Sequence, residues 1–235
     1  MNKISAIVMF FLVLCVSCTA RIQGSIQNDG QADLHINAAL EPRMTMLLTG
    51  LAAASGAMEP GTLLNGPAIA ATMATAPGIA SISFENTAPA AIEGPVKITK
   101  MGEFLANRRT GGFIRFIQNF PAGGRCTVNI NLKSGPEILA LISPDVTVYL
   151  EALMAPLATG ERLTKKQYLE LVGSVYGKAI ADEISKAVIR ASIDFPGPVT
   201  SAKGGSYSGK RVEYTIPLLD LLVLETPLSY EIAWR

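Results

Sequence analysis

Arg21-Ile-Gln-Gly-Ser-Ile-Gln27, Asn28-Asp-Gly30 and Ala32-Asp-Leu-His-Ile-Asn-Ala-Ala-Leu40 stand close together early in the chain. In the first run Ile22, Gly24 and Ile26 recur at every second residue, the period of a strand that turns one face inward. The second run alternates in the same way, and Asn-Asp-Gly between them supplies residues that accept a tight turn. The stretch therefore predicts a β-hairpin and sets this part of the chain in an antiparallel sheet. His35 falls on the face opposite Leu34 and Ile36, and it is the only histidine of the chain. A histidine-based zinc site would lack its partners, so His35 is expected as a solvated or hydrogen-bonded strand residue, and no metal or cofactor is expected.

Upstream, Met1-Asn-Lys3 is short and basic, and an apolar run from Ile4 to Val16 is interrupted only by Ser5. Such a run has the length of a signal-peptide core and falls short of the roughly 20 apolar residues that span a bilayer. It ends in Leu14-Cys-Val-Ser-Cys18, which resembles the relaxed lipobox of bacterial lipoproteins. That resemblance implies a signal peptide at 1–17, removal of this leader, and acyl chains on Cys18. With about 0.8 kcal/mol for each buried CH₂, two or three chains would hold the protein on a membrane. Cleavage after Ala20 without lipidation, or retention of the leader as an anchor, are the competing readings.

Downstream, 44–92 carries only Glu59 and Glu85 as charges and is rich in Ala, Met, Gly, Thr and Leu. Met44 to Met58 and Pro67 to Ala76 read as helices, and Ile79 to Phe84 as a strand. This apolar segment either packs on the sheet or forms an adaptable, methionine-rich flap over a lipidic ligand or a bilayer. Val96–Thr99, Phe113–Ile117 and Cys126–Leu132 read as further strands, with Cys126 expected on the face away from Val128 and Ile130. Helices are expected from Ser134 to Ile142 and from Pro144 to Leu157. Thr164-Lys-Lys-Gln167 is a capping-box pattern opening one long helix to about 187, whose ridge runs through Tyr168, Val172, Val175, Ile180 and Ile184. The tail is β again, with strands at 188–195, 199–202, 210–216 and 228–234 and an apolar crossing at Pro217–Leu222.

The chemistry-bearing motifs fail on context. Gly204-Gly-Ser-Tyr-Ser-Gly-Lys210 has the spacing of a P-loop, but Arg211 stands where Ser or Thr should bind magnesium, and a strand pattern follows instead of a helix. A nucleophile elbow is missing, because Tyr207 occupies its serine position. Cys15 leaves with the leader and Cys18 would carry lipid, so Cys126 is left without a disulfide partner or a neighbour that would activate it. Asp182 and Glu183 are expected on the exposed side of the long helix. No catalytic residues are assigned, and the protein is expected not to be an enzyme.

Composition narrows the classes further. Losing Lys3 brings the 20 basic side chains level with the 19 acidic ones, which argues against nucleic acid and against electrostatic attraction to a membrane. At 49% hydrophobic and 17% charged, where about 25% charged is usual, the chain has more apolar surface than an ordinary soluble domain needs.

The order Phe195-Pro-Gly197, Val199, Gly204-Gly205, Gly209 before a strand and a last apolar strand ending in Trp234 resembles the LppM-type domain of bacterial lipoproteins. So does Cys18 followed at once by a hairpin. The likeness covers about 18–42 and 165–235, and the chain departs from it at Tyr214, where tryptophan is expected, and in 44–92. It implies a membrane-attached domain likened to lipid-binding folds and linked to glycolipid binding instead of catalysis.

Together these readings give an α+β domain at 18–235, a mainly antiparallel twisted sheet with helices packed on one face. The expected function is a lipid-anchored protein of a bacterial envelope, on its periplasmic or surface side, that binds a lipid, glycolipid or other envelope component in an apolar cavity. Leu47, Leu51, Ile138, Leu141 and Tyr149 are the expected lining. The alternative is a scaffold lipoprotein that meets an envelope protein partner through its apolar segment.

Overall fold

The hairpin forms as the alternation requires. β1 (Thr19–Ile26) and β2 (Ala32–Ala39) pair antiparallel from Thr19↔Ala39 to Ile26↔Ala32. At the turn Asp29 Oδ1 accepts from Gln31 N at 3.0 Å, and Gly30 takes φ +83°, which costs glycine little. The computed structural model describes residues 19–55, 63–105, 114–119, 123–134, 153, 156 and 159–235. The helices expected at 134–142 and 144–157 lie almost wholly outside the described residues, as do Cys18 and the leader.

After the hairpin come α1 (Pro42–Ser55), α2 (Gly66–Met73), β3 (Ile79–Ile82), β4 (Glu85–Ala88), β5 (Ala91–Ile98), α3 (Met101–Leu105), β6 (Ile114–Asn119) and β7 (Gly123–Ile130). A single 3₁₀ turn, Leu132–Ser134, follows β7. Then come α4 (Lys165–Tyr176), α5 (Lys178–Lys186), β8 (Val188–Asp194), β9 (Val199–Lys203), β10 (Ser206–Ser208), β11 (Arg211–Pro217), α6 (Leu218–Val223) and β12 (Leu228–Trp234).

The strands build two sheets. The larger runs β10-β11-β8-β1-β2-β5-β3 with β4 also on β5, and the smaller runs β6-β7-β12-β9. Pairing is antiparallel except between β1 and β8. The α+β class and the mainly antiparallel pairing are as expected, but the layer over the inner face of the larger sheet is the second sheet. The register shows where helices go instead. Ala39, Thr19, Val188 and Pro217 align in one row across the larger sheet. α1 follows Ala39 closely, α5 ends just before Val188 and α6 starts just after Pro217, so these helices gather at one end of the sheet. Leu218 N donates to Ala187 O at 2.9 Å and ties that end together.

The described part of 44–92 contributes to the core on one side and leaves Met46 and β4 exposed on the other. Met44, Leu48, Ile69 and Met73 are buried, and β3 and β4 both pair with β5. The expected single helix over 164–187 is two. Thr164 caps Gln167 N at 3.2 Å and the Gln167 side chain accepts from Thr164 N at 2.9 Å, as the capping box requires. The helix then stops at Gly177, whose φ of +95° lies outside helical space. The change of direction leaves Tyr168, Val172, Ile180 and Ile184 buried while Val175 is 62% exposed.

Candidate functional site

Between the two sheets lies a cavity of about 320 Å³. Its wall follows from the period of two. Ile22 and Ile26 of β1, Leu34 of β2 and Val96 of β5 face inward from the larger sheet, and Phe116, Val128 and Ile232 face them from the smaller. Met73 of α2, Phe104 of α3 and Leu221 of α6 close the periphery. Gly24, opposite Leu34, has no room for a Cβ against that strand, and its bare backbone lets the Leu34 side chain lie across β1.

No charged side chain stands in this wall among the described residues. Cys126 does, on the same inner face as Val128 and Ile130, which corrects the expected orientation: residues two apart on a regular strand share a face. Burial pushes its thiol up to about 11, which favours the protonated form at ordinary pH. The rings of Tyr214 and Tyr230 meet edge to face, 5.2 Å between centroids. Burial, aided by Cys126 and Tyr230 nearby, pushes the Tyr214 hydroxyl up to about 12, and it lies 3.4 Å from Glu231 O on the backbone of β12. Phe116 and Phe195 back onto Trp234 at centroid distances of 5.6 and 4.8 Å. Trp234 lies across Gly124, where a Cβ would overlap the indole. The polar side-chain atoms of this wall among the described residues are thus those of Cys126, Tyr214 and Tyr230.

The expected lining residues are placed elsewhere or outside the description. Leu47 and Leu51 sit on α1, half-buried against the core, and neither belongs to the cavity wall. The inner face they were expected to cover is occupied by the smaller sheet. Ile138, Leu141 and Tyr149 lie outside the described residues, and so does Cys18. Glu183, expected in solvent, accepts from Arg43 N at 3.2 Å and Met44 N at 2.9 Å, capping α1 from α5. His35 is a hydrogen-bonded strand residue, with Nε2 2.7 Å from Glu93 Oε1, and this bond with that from Asn37 holds the Glu93 carboxyl below its ordinary range. Among the described residues no group of three or more His, Cys, Asp or Glu could hold a metal. No described helix is long and apolar enough to cross a membrane.

Among solved structures, the NMR structure of the folded domain of LppM from Mycobacterium tuberculosis is similar to this chain. The identity is 14%, 92% of this chain and 88% of that chain are covered, and the TM-score is 0.42. No family model matches the chain, and neither does any curated protein. The α+β class stands on the strand register itself.

A second concavity, a groove of about 570 Å³, lies where the 3₁₀ turn after β7, the chain entering α4 and the turn after α6 converge. It carries Lys133, Arg162 and Glu225 beside Leu132, Val223 and Pro227.

Proposed function

We propose that the protein is a lipid-anchored, non-catalytic protein of the bacterial envelope that takes the hydrocarbon part of a lipid or other amphiphile into the cavity between its two sheets. The observation that carries this reading is the cavity's uniformly apolar wall. Ligand sites commonly measure about 300–1,000 Å³, and this one, at the lower end, suits one chain better than several. A wall with so few polar partners gives water little to bind. Left empty, at about 24 cal/mol per Å³ of void, it would cost several kcal/mol, a large share of the ~5–15 kcal/mol by which domains are stable. A hydrocarbon occupant removes that cost. Anchoring rests on the lipobox-like Leu14–Cys18, and envelope localisation rests on the anchor.

The scaffold alternative gains less support. Among the described residues the large apolar side chains that are exposed, Met46, Ile117, Leu171, Val175 and Tyr207, are spread over α1, β6, α4 and β10, and of these only Leu171 and Val175 share one helix face. A docking surface calls for a contiguous patch of several hundred Å².

The test is native mass spectrometry of the full chain purified from its own envelope, with extraction of whatever lipid comes with it. A stoichiometric lipid is the expected result, together with a Cys18 N-terminus carrying acyl mass. A bare protein that also takes up no added envelope lipid would overturn the binding reading.

A further inference from the structure

The groove is polar in a way the cavity is not, and no residue lines both, but residues adjacent in the chain line one and then the other. Ile130 faces the cavity while Asn131, Leu132 and Lys133 line the groove. Leu228, paired with Ile130 across the smaller sheet, faces the cavity while Pro227 lines the groove. Leu221 of α6 faces the cavity while Val223 and Leu224 line the groove. Three separate stretches of chain thus pass from apolar wall to groove within one or two residues.

The charges there are unequal in availability. Glu225 Oε2 already accepts from Lys165 N at 3.0 Å, at the first turn of α4, and the Lys165 ammonium is taken by Asp220 at 2.6 Å. Lys133 and Arg162 are exposed and have no acidic partner among the described residues. Among the described residues the groove therefore offers two cations without an acidic partner against one carboxylate, which is already hydrogen-bonded to backbone.

We propose that this groove receives the anionic head, phosphate or carboxylate, of the amphiphile whose chain enters the cavity, an inference that rests on the binding reading above. Arg162 suits a planar, forked contact to either oxyanion and Lys133 a point charge beside it. The arrangement also agrees with the place of the anchor. Thr19, directly after Cys18, already belongs to β1 and stands in the row from which α6 departs, so acyl chains on Cys18 would hold the helical end of the domain close to the lipid heads.

The experiment uses the full chain in a nonionic detergent and reads bound ligand by native mass spectrometry. The probes are hexadecyl phosphate, hexadecanoate, hexadecanol and inorganic phosphate alone. The expected result is that the two anionic amphiphiles bind about tenfold more tightly than hexadecanol, a margin consistent with two solvent-exposed ionic contacts. In the double variant Lys133→Gln/Arg162→Gln that margin disappears while hexadecanol binds as before. Inorganic phosphate alone is expected to bind far more weakly than hexadecyl phosphate. Equal binding of charged and neutral chains, or a margin that survives the double substitution, would overturn the headgroup assignment and leave the cavity reading standing. Phosphate alone binding as well as hexadecyl phosphate would make the groove an ion site unrelated to lipid and would also overturn it. If none of the four binds, both readings fall.

Discussion

Cys126 and Ile232 stand opposite one another across β7 and β12, and both side chains enter the cavity between the sheets. The thiol is therefore a reporter inside the proposed site. Burial raises it from an ordinary 9.0 to about 11, which lowers the thiolate fraction near pH 8 by about a hundredfold. Alkylation of Cys126 by iodoacetamide, followed by peptide mass mapping, is expected to be about a hundred times slower in the native chain than in denaturant. Bound hexadecanol should slow it further. A native rate equal to the denatured one would show that the thiol is not enclosed. The linkage has a definite sign: the folded value lies above the unfolded one, so the contribution to stability is complete below about pH 9 and is lost as pH rises through about 11.

Glu183 joins two helices far apart in sequence. Its carboxylate accepts from Arg43 N and Met44 N at the start of α1, where backbone donors have no partner within the helix. Glu183→Ala is expected to cost about 1 kcal/mol, the usual worth of an N-terminal cap with a favourable charge. Urea unfolding followed by far-ultraviolet circular dichroism reads this as a lower midpoint. Asp182→Ala, which removes only an exposed ion pair to Lys186, should shift the midpoint much less. Equal effects of the two substitutions would contradict the capping role.

Tyr168 is fully buried, and its hydroxyl donates to Leu153 O at 2.6 Å. Tyr168→Phe keeps the ring and leaves that carbonyl without its donor, at an expected cost of roughly 1–3 kcal/mol. The same equilibrium unfolding curve measures it. A loss below about 0.5 kcal/mol would mean that the carbonyl finds another donor at once.

The parts of the fold legible in the sequence are those written in local periodicity and capping. The hairpin at 21–40, the Thr164 box and the tail strands follow from residues two, three or four apart, and the Gly204–Gly209 stretch is a turn-and-strand segment as its context requires. The partner of the larger sheet was not legible. Among the described residues β7 and β12 are separated by α4, α5, α6 and four other strands, and no residue within β7 states that its inner face will meet β1 instead of a helix. The break at Gly177 was legible in principle, since glycine is the common way to leave a helix, but an apolar ridge that continues beyond it in 3.6-residue register masks the stop. The cavity wall draws on both ends of the chain, so its residues read singly as ordinary core positions. Leu47 and Leu51 lie on an apolar helix of a low-charge segment, and that helix packs beside α5, where Glu183 caps it, and away from the wall between the sheets.

Ala191 offers the most direct test of the cavity. It lies on β8 between Ile22 of β1 and Tyr214 of β11, and its methyl group faces the cavity from the larger sheet. Ala191→Phe puts a ring into space that a ligand chain would use, and Ala191→Leu fills less of it. Filling a void adds buried apolar surface without forcing neighbours apart, so both variants are expected to unfold at the same or a higher urea concentration than the parent. Uptake of hexadecanol, read by native mass spectrometry, should fall at least about tenfold in Ala191→Phe and less in Ala191→Leu, because each 1.4 kcal/mol of lost contact is a factor of ten. Lower stability in both variants would mean that the space is already filled by the chain itself, since overpacking a full core costs about 1–3 kcal/mol. Unchanged stability with unchanged uptake would place the amphiphile somewhere other than between the sheets.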